Sequence, residues 1–199
     1  MIAIVDYGAG NLFSIANALE HLSISYQITQ EPQALYESDG VLLPGVGAFP
    51  DAMAMLREKD LIPILRQMAK KKPFLGICLG MQVLFCQGEE FCLTKGLGLL
   101  KGQVKKMNQP GLKIPHMGWN RLEIVRDCPL TRGLPEQAYV YFVHSYQAVP
   151  QEKDLVAWAE YGGAYCYGAQ FHPEKSGETG LRILQNFADL CRNTVRINP

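Results

Sequence analysis

Residues 73–82 read Pro-Phe-Leu-Gly-Ile-Cys-Leu-Gly-Met-Gln, a short apolar run that ends at Cys78 and continues into a helix-like stretch. This order predicts a strand that turns sharply into a helix, with the cysteine at the tip of a nucleophile elbow. Gly76 and Gly80 lie two residues on either side of Cys78 and let strand, turn and helix approach closely. An exposed thiolate there would lie near the positive end of the helix, which favours a nucleophile.

Cys78 has a simpler interpretation as a small apolar residue within a buried strand. The flanking glycines and the nearby Gln82 favour the elbow, because a buried strand needs none of them. A nucleophilic cysteine also needs a base, which directs attention to the histidines elsewhere in the chain.

His172 and Glu174 follow an apolar run at 167–171 that is predicted as a strand. Two residues apart at a strand end, their side chains lie on one face. The carboxylate can then hold the imidazole in one tautomer while the other ring nitrogen faces a nucleophile. A His-x-Glu pair alone is a weak signal, but together with the elbow it predicts a catalytic triad of Cys78, His172 and Glu174.

An acyl-transfer cysteine also needs donors for the oxyanion that forms during attack. The backbone N–H of Leu79, directly after the nucleophile, is one candidate. Residues 44–47, Pro-Gly-Val-Gly, follow a neighbouring predicted strand and offer the N–H of Val46 or Gly47. Taken alone, that loop is better explained as a plain turn.

The composition predicts one soluble globular domain over residues 1–199, because 48% of the residues are hydrophobic and 19% are charged. Nineteen basic residues balance nineteen acidic ones, so the total charge does not favour nucleic acid or a membrane surface as a partner. The six cysteines form no C-x-x-C pair and no metal-ligand spacing, which predicts reduced thiols in a cytosol.

The first residues, Met-Ile-Ala-Ile-Val-Asp, have no basic segment before the apolar run, which stops at Asp6. This argues against a signal peptide or an anchor. No apolar stretch approaches the roughly 20 residues that a membrane helix needs. We therefore expect a cytoplasmic protein.

Apolar runs alternate with helical patterns in the first half of the chain. We predict strands at 2–5, 26–29, 40–43 and 74–77, and helices starting at Leu12 and spanning 51–58, 62–72 and 81–86. Continuous apolar strands separated by helices are typical of a parallel sheet buried on both faces.

The second half has shorter, turn-rich and aromatic runs. We predict strands at 103–107, 120–125, 138–143, 147–149, 156–160 and 167–171, and a closing helix at 180–190. The predicted fold is therefore α/β, with a mostly parallel central sheet flanked by helices and a partly antiparallel C-terminal extension. In such a fold the active site lies at the carboxyl ends of the strands.

The motifs at 76–82 and 170–174 together resemble those of the class I, or triad, glutamine amidotransferases. Further motifs narrow the resemblance to the glutaminase subunits of imidazole glycerol phosphate synthases, and it runs essentially from end to end. These motifs are at residues 6–11 (Asp-Tyr-Gly-Ala-Gly-Asn), 43–49 (Leu-Pro-Gly-Val-Gly-Ala-Phe), 115–120 (Pro-His-Met-Gly-Trp-Asn) and 142–146 (Phe-Val-His-Ser-Tyr).

The resemblance implies that Cys78 attacks the side-chain amide of glutamine and forms a thioester. His172 would pass a proton to the departing ammonia, Glu174 would orient His172, and water would release glutamate. Val46 or Gly47 would complete the oxyanion hole when a partner docks. The residues that it implies in glutamine binding are Gly47, Gln82, Ser145 and Tyr146.

The resemblance also implies a partner, a (β/α)₈-barrel cyclase subunit that forms a heterodimer with the glutaminase. Ammonia would pass through a tunnel to the cyclase, which makes imidazole glycerol phosphate and AICAR in histidine biosynthesis. It implies no cofactor and no metal. All 199 residues match the glutaminase pattern, so we expect the ammonia acceptor to bind elsewhere. The residues implied in docking and gating are Asn11, Trp119, Tyr141 and Lys175.

The chain departs from the family pattern after Gly163, where relatives usually carry a longer segment before the catalytic histidine. This departure keeps open a paralogous glutaminase that feeds ammonia to another acceptor, such as a sugar of a surface polysaccharide. The motifs at 115–120 and 142–146 argue against that alternative. A cysteine peptidase would not be expected to combine Gln82 with the second of these motifs, and a non-catalytic binding module would not be expected to keep the complete triad.

Overall fold

The computed structural model describes residues 1–108, 111–161, 164–167 and 169–197. The first half of the chain forms a sheet of four parallel strands in the order β2-β1-β3-β4. The strands are β1 (Ile2–Val5), β2 (Tyr26–Thr29), β3 (Gly40–Leu43) and β4 (Phe74–Gly76), and the helices are α1 (Leu12–His21), α2 (Pro32–Glu37), α3 (Phe49–Glu58) and α4 (Ile62–Lys71).

Both faces of this sheet are covered, as the continuous apolar strands predict. All residues of β1 and β3 are buried, and alternate residues of β1 face different cores. Ala3 and Val5 pack in the core that includes α3 and α4, whereas Ile2 and Ile4 pack in the core that includes α1 and the C-terminal helix. The sheet is therefore a buried layer between helices.

The rest of the chain, after β4, adds one short helix, smaller sheets and a long closing helix. These elements are α5 (Leu79–Gln82), β5 (Phe85–Gly88), β6 (Thr94–Lys95), β7 (Leu100–Lys106), β8 (His116–Arg121), β9 (Glu123–Ile124), β10 (Tyr139–His144), β11 (Tyr146–Pro150), β12 (Ala157–Tyr161), β13 (Ala164–Tyr167) and α6 (Gly177–Ile197). Among the described residues, β11-β7-β5-β6 form a mixed sheet, and β10-β8 and β13-β12-β9 form antiparallel ones. The predicted α/β fold, with its partly antiparallel extension, is confirmed.

The predicted helix at 81–86 is wrong. The helix after the elbow ends at Gln82, and residues 85–88 form β5 instead. Strand β5 pairs with both β6 and β7, so tertiary pairing decides the conformation of an apolar stretch that a helix would also suit.

The predicted strand at 167–171 is also misplaced. A strand occurs earlier, at Ala164–Tyr167, and residues 169–170 form a turn. The carbonyl of Ala169 accepts a hydrogen bond of 2.9 Å from the backbone N–H of Cys78, so the elbow holds this turn. Residues 162, 163 and 168 lie outside the described residues, and with them part of the shortened segment.

Other predicted boundaries shift by smaller amounts. The predicted strand at 120–125 divides into β8 and β9, which have different partners: β8 pairs with β10, and β9 pairs with β12. The closing helix is longer than the predicted 180–190, and the short α2 was not predicted. No helix in the described part of the chain is long and apolar enough to cross a bilayer.

Candidate active site

The elbow predicted around Cys78 is present at the carboxyl end of β4. Cys78 has φ +52° and ψ −115°, a conformation that costs a side-chain-bearing residue free energy. A Cβ on Gly76 would lie 2.6 Å from the Cα of Met81, and one on Gly80 would lie 1.9 Å from the carbonyl oxygen of Leu43. Both glycines are therefore required by close approach of the backbone, as the sequence predicts.

The imidazole and carboxylate of the predicted triad are paired and buried. The Nδ1 of His172 lies 2.8 Å from Oε1 of Glu174, and their side chains are 3% and 1% exposed. The backbone N–H of His172 donates to the carbonyl of Tyr141 at 3.0 Å, and the hydroxyl of Ser176 donates to the carbonyl of His172 at 2.6 Å. These contacts hold the imidazole and leave its Nε2 for the hydrogen bond to Cys78.

The charge state of His172 follows from the same contacts. Burial by itself lowers the pKa of His172, but hydrogen bonds to Cys78 and Glu174, and their charges, raise this pKa from 6.5 to about 9. The imidazolium form therefore predominates at neutral pH. An imidazolium next to Cys78 can deliver its proton to a leaving group.

Cys78 and His172 open onto one cavity of about 370 Å³. This volume lies in the range of small-molecule sites. The predicted site residues that line the same cavity are Val46, Gly47, Leu79, Gln82, Ser145, Tyr146 and Lys175. The remaining lining residues, which the sequence did not predict, are Glu90, Pro115, Val143 and His144.

The loop that carries Val46 and Gly47, two of the predicted oxyanion donors, lies next to the elbow. Strands β3 and β4 are neighbours with Leu43 paired to Gly76, so loop 44–47 leaves the sheet next to the elbow. A Cβ on Gly45 of that loop would lie 2.5 Å from the backbone N of Gly80. Gly47 has φ +109°, a conformation that favours glycine. The loop and the first N–H of α5 therefore border the same space.

Gln82 is almost completely buried, and its amide nitrogen is used within the protein. It donates to the carbonyl of Tyr146 and to Oε1 of Gln170, at 2.9 Å each. An amide nitrogen has two N–H groups, so only Oε1 of Gln82 is left for a ligand. We therefore expect Gln82 to contact a ligand only as a hydrogen-bond acceptor, through Oε1.

A buried histidine supports the segment that carries Ser145 and Tyr146. The Nδ1 of His144 lies 2.9 Å from the Tyr146 carbonyl, which can only accept, so this nitrogen carries the proton. Burial lowers the pKa of His144 from 6.5 to about 4. His144 is therefore a neutral donor that fixes the position of this carbonyl.

Sequence reasoning missed Glu90, which lines the cavity. Its Oε2 accepts a hydrogen bond of 2.7 Å from the backbone N–H of Phe49, at the start of α3. Glu90 follows β5. Because residues 81–86 were wrongly predicted as a helix, this strand and the position of Glu90 at its end, near the site, were not expected. An acidic residue just after a strand near the elbow is the signal that would have found it.

The residues predicted to dock a partner differ in their surroundings, and one of them has a structural role within this chain. Trp119 is 54% exposed and lies edge-to-face on Tyr141, its direct neighbour in the β8–β10 pair, with ring centroids 5.9 Å apart. Lys175 is exposed and lines the cavity. Asn11 caps α1, because its Oδ1 accepts from the N–H of Ser14 at 3.1 Å, which accounts for this residue without a partner.

In the part of the chain that the structure describes, no cluster of three or more His, Cys, Asp or Glu side chains could hold a metal ion.

The chain matches known proteins over almost its whole length. Residues 3–190 match the class-I glutamine amidotransferase family. The imidazole glycerol phosphate synthase subunit HisH of Bacillus cereus strain AH187 is 47% identical over 196 residues, which cover 94% of this chain and 93% of the relative.

Solved structures agree with the fold. The structure of PurLQS from Thermotoga maritima is 21% identical, with a TM-score of 0.71 over 94% of this chain and 97% of that one. A crystal structure of a glutamine amidotransferase is 19% identical, with a TM-score of 0.71 over 96% and 100%. The chain belongs to the class-I glutamine amidotransferases, and within them to the family of the HisH subunits of imidazole glycerol phosphate synthase.

Proposed function

We propose that this chain is a glutamine amidotransferase that hydrolyses glutamine to glutamate and ammonia. One observation carries the proposal. The sulfur of Cys78 and the paired side chains of His172 and Glu174 meet at a cavity that the predicted glutamine-binding residues also line. We further propose that residues 1–199 form one glutamine amidotransferase domain.

The reaction begins with attack of the Cys78 thiolate on the side-chain amide carbon of glutamine. A sulfur–carbon bond forms, and the carbonyl oxygen becomes an oxyanion that the N–H groups of Leu79 and of Val46 or Gly47 stabilise. The imidazolium of His172 gives its proton to the amide nitrogen as the carbon–nitrogen bond breaks and ammonia leaves.

The thioester is then hydrolysed. His172, now neutral, takes a proton from a water molecule as the water oxygen attacks the thioester carbon. The carbon–sulfur bond breaks, glutamate is released, and the thiolate and the imidazolium are restored. Glu174 remains a carboxylate throughout and keeps the imidazole in one tautomer.

The polar lining of the cavity suits the amino-acid end of glutamine. The carboxylate of Glu90 and the free Oε1 of Gln82 are acceptors for an α-ammonium group. The predicted contacts with Gly47, Ser145 and Tyr146 complete the binding site. We infer that Glu90 gives the site its preference for a free amino acid over a glutamine within a peptide.

We propose that the ammonia is used by a separate cyclase subunit, a (β/α)₈ barrel that forms a heterodimer with this chain. The cyclase makes imidazole glycerol phosphate and AICAR in histidine biosynthesis. The similarity to imidazole glycerol phosphate synthase subunits of Bacillus cereus supports this acceptor over a surface-polysaccharide sugar. The docking face includes Trp119, Tyr141 and Lys175, with Asn11 as a further candidate.

We also propose that the protein is located in the cytoplasm. The five cysteines whose side chains are described are free thiols, which fits a reducing compartment.

Glutamate release from glutamine tests the proposal, with the purified chain alone and with the cyclase and its ribonucleotide. We expect turnover that rises strongly when both are added and is abolished by Cys78→Ala. The exposed Cys86 provides a matched control, since Cys86→Ala should keep full turnover. Glutaminase activity in Cys78→Ala would overturn the assignment of the nucleophile. Activity that does not change when the cyclase is added would overturn the proposal that the cyclase is the partner.

A further inference from the structure

We propose that Gln170 is a catalytic residue whose side-chain amide donates a hydrogen bond to the Cys78 sulfur and stabilises its thiolate. The inference rests on the proposed function, because it takes Cys78 as the nucleophile. The Nε2 of Gln170 lies 3.6 Å from Sγ of Cys78. The sulfur would then have two donors, the imidazolium of His172 and a neutral amide.

The orientation of the Gln170 amide follows from its neighbours. The carbonyl of Tyr146 can only accept, so the group of Gln82 that lies 2.9 Å from it must be the amide nitrogen. The second N–H of Gln82 points to Gln170 at 2.9 Å, which requires the oxygen of Gln170 on that side. The nitrogen of Gln170 is therefore left facing the sulfur.

A second donor, the imidazole of His144, also fixes the position of the Tyr146 carbonyl. His144 donates to the same carbonyl at 2.9 Å, so two donors converge on one acceptor. A carbonyl oxygen has two lone pairs and accommodates both. Each donor and acceptor from Tyr146 to Cys78 is thus assigned: Gln82 donates to both Tyr146 and Gln170, and Gln170 donates to the reacting sulfur.

The backbone places Gln170 with little freedom. Its side chain is completely buried, and Ala169 before it accepts the N–H of Cys78 at 2.9 Å. His172, two residues later, is held by the Tyr141 carbonyl at 3.0 Å. The turn after residue 168 therefore delivers the amide and the imidazole to the same sulfur.

A hydrogen bond to a charged acceptor is stronger than one to a neutral acceptor. The amide of Gln170 therefore favours the thiolate over the thiol, and it also favours thiolate departure when the thioester is hydrolysed. It transfers no proton, so the proton balance of the two steps is unchanged. This separates its role from that of His172, which gives and takes a proton.

The pH dependence of Cys78 alkylation by iodoacetamide tests the proposal in the full-length protein. Mass spectrometry of peptides distinguishes Cys78 from the other cysteines. In Gln170→Glu the side chain keeps its shape and can still accept from Gln82, but it presents an oxygen to the sulfur. We expect the midpoint of the pH profile to rise by about one pH unit or more, and glutaminase turnover to fall about 10-fold or more.

Two further variants separate charge and packing from the hydrogen bond. Gln67→Glu makes the same charge change on the exposed face of α4, and we expect wild-type profiles from it. Gln170→Met keeps the bulk of the side chain without the donor or the negative charge, and it should also raise the midpoint. Thermal melting of each variant checks that the fold is retained.

A measurement on the wild-type chain covers the case in which these variants do not fold. The side-chain amide resonances of Gln170 should shift with the same pH midpoint as Cys78 alkylation. The role of Gln170 would be overturned if its amide resonances did not shift at the pH midpoint of Cys78 alkylation. It would also be overturned if folded Gln170→Glu protein showed the wild-type pH profile of alkylation. Glutaminase activity in Cys78→Ala would instead overturn the proposed function, so the two failures are distinguishable.

Discussion

Replacement of Gly80 by alanine tests whether close backbone approach at the elbow is needed for catalysis. A Cβ at residue 80 would lie 1.9 Å from the carbonyl oxygen of Leu43 and 2.8 Å from that of Pro44. Real contacts of a Cβ with other heavy atoms are essentially never below 3.0 Å. The obstructing atoms belong to the backbone of β3 and the loop after it, so a side-chain rotation cannot relieve the clash.

The distance sets the size of the effect. The elbow and β3 must separate by roughly 1 Å, and overpacking of this kind costs about 1–3 kcal/mol of unfolding free energy. For a chain of this size, that lowers Tm by roughly 3–10 °C. A displacement of about 1 Å also removes a nucleophile from its attack geometry, and such misplacement costs roughly 10²-fold in rate.

The assays are thermal melting and glutaminase turnover with the cyclase present, at a temperature where the variant is folded. Gly40→Ala is the matched control at the opposite end of β3, where an added Cβ would lie 2.2 Å from the Sγ of Cys191. We expect the control to lose stability but keep kcat. Wild-type turnover in folded Gly80→Ala would refute the argument that the elbow depends on this contact.

Three further predictions concern charge and docking. Because the pKa of His172 is raised from 6.5 to about 9, its proton stabilises the fold fully below about pH 6.5, and this stabilisation is lost as pH rises to about 9. Between about pH 6.5 and pH 9, the melting temperature should therefore fall less in Glu174→Gln than in the wild-type protein. The glutaminase turnover of this variant should drop about 10²-fold. Glu90→Gln should raise KM for glutamine roughly 10-fold or more with kcat nearly unchanged, since a charged contact is lost while an acceptor remains; an unchanged KM would remove Glu90 from the binding site. Trp119→Ala and Lys175→Ala should each weaken cyclase binding about 10-fold in a titration, and unaltered stimulation would exclude them from the interface.

Much of the parallel sheet could be predicted from local patterns alone. Strands β1, β2 and β3 have the predicted bounds. Strands β1 and β3 are buried apolar runs between turn-forming segments, whereas β2, at the edge of the sheet, mixes polar and apolar residues. The elbow could be predicted for the same reason, with glycines at 76 and 80 marking the close approach. Elements after the elbow were less predictable, because short apolar stretches suit a helix or a strand until their partners are known.

The sequence by itself determined the class of fold, the identity of the candidate triad and the family resemblance. These depend on residue types at fixed spacings, and such spacings persist whatever the rest of the chain contributes. Cys78, His172 and Glu174 could be selected from the sequence because few residue types can perform nucleophilic and acid–base chemistry.

Only the tertiary structure decided which groups meet at the sulfur and in the cavity. Glu90 enters the cavity because β5 pairs with its neighbours, and no local pattern specifies that pairing. The amide of Gln170 faces Cys78 because Tyr146 and Gln82, both distant in sequence, orient it. A hydrogen bond depends on the position and direction of two groups, and for groups far apart in the chain only the folded structure sets both.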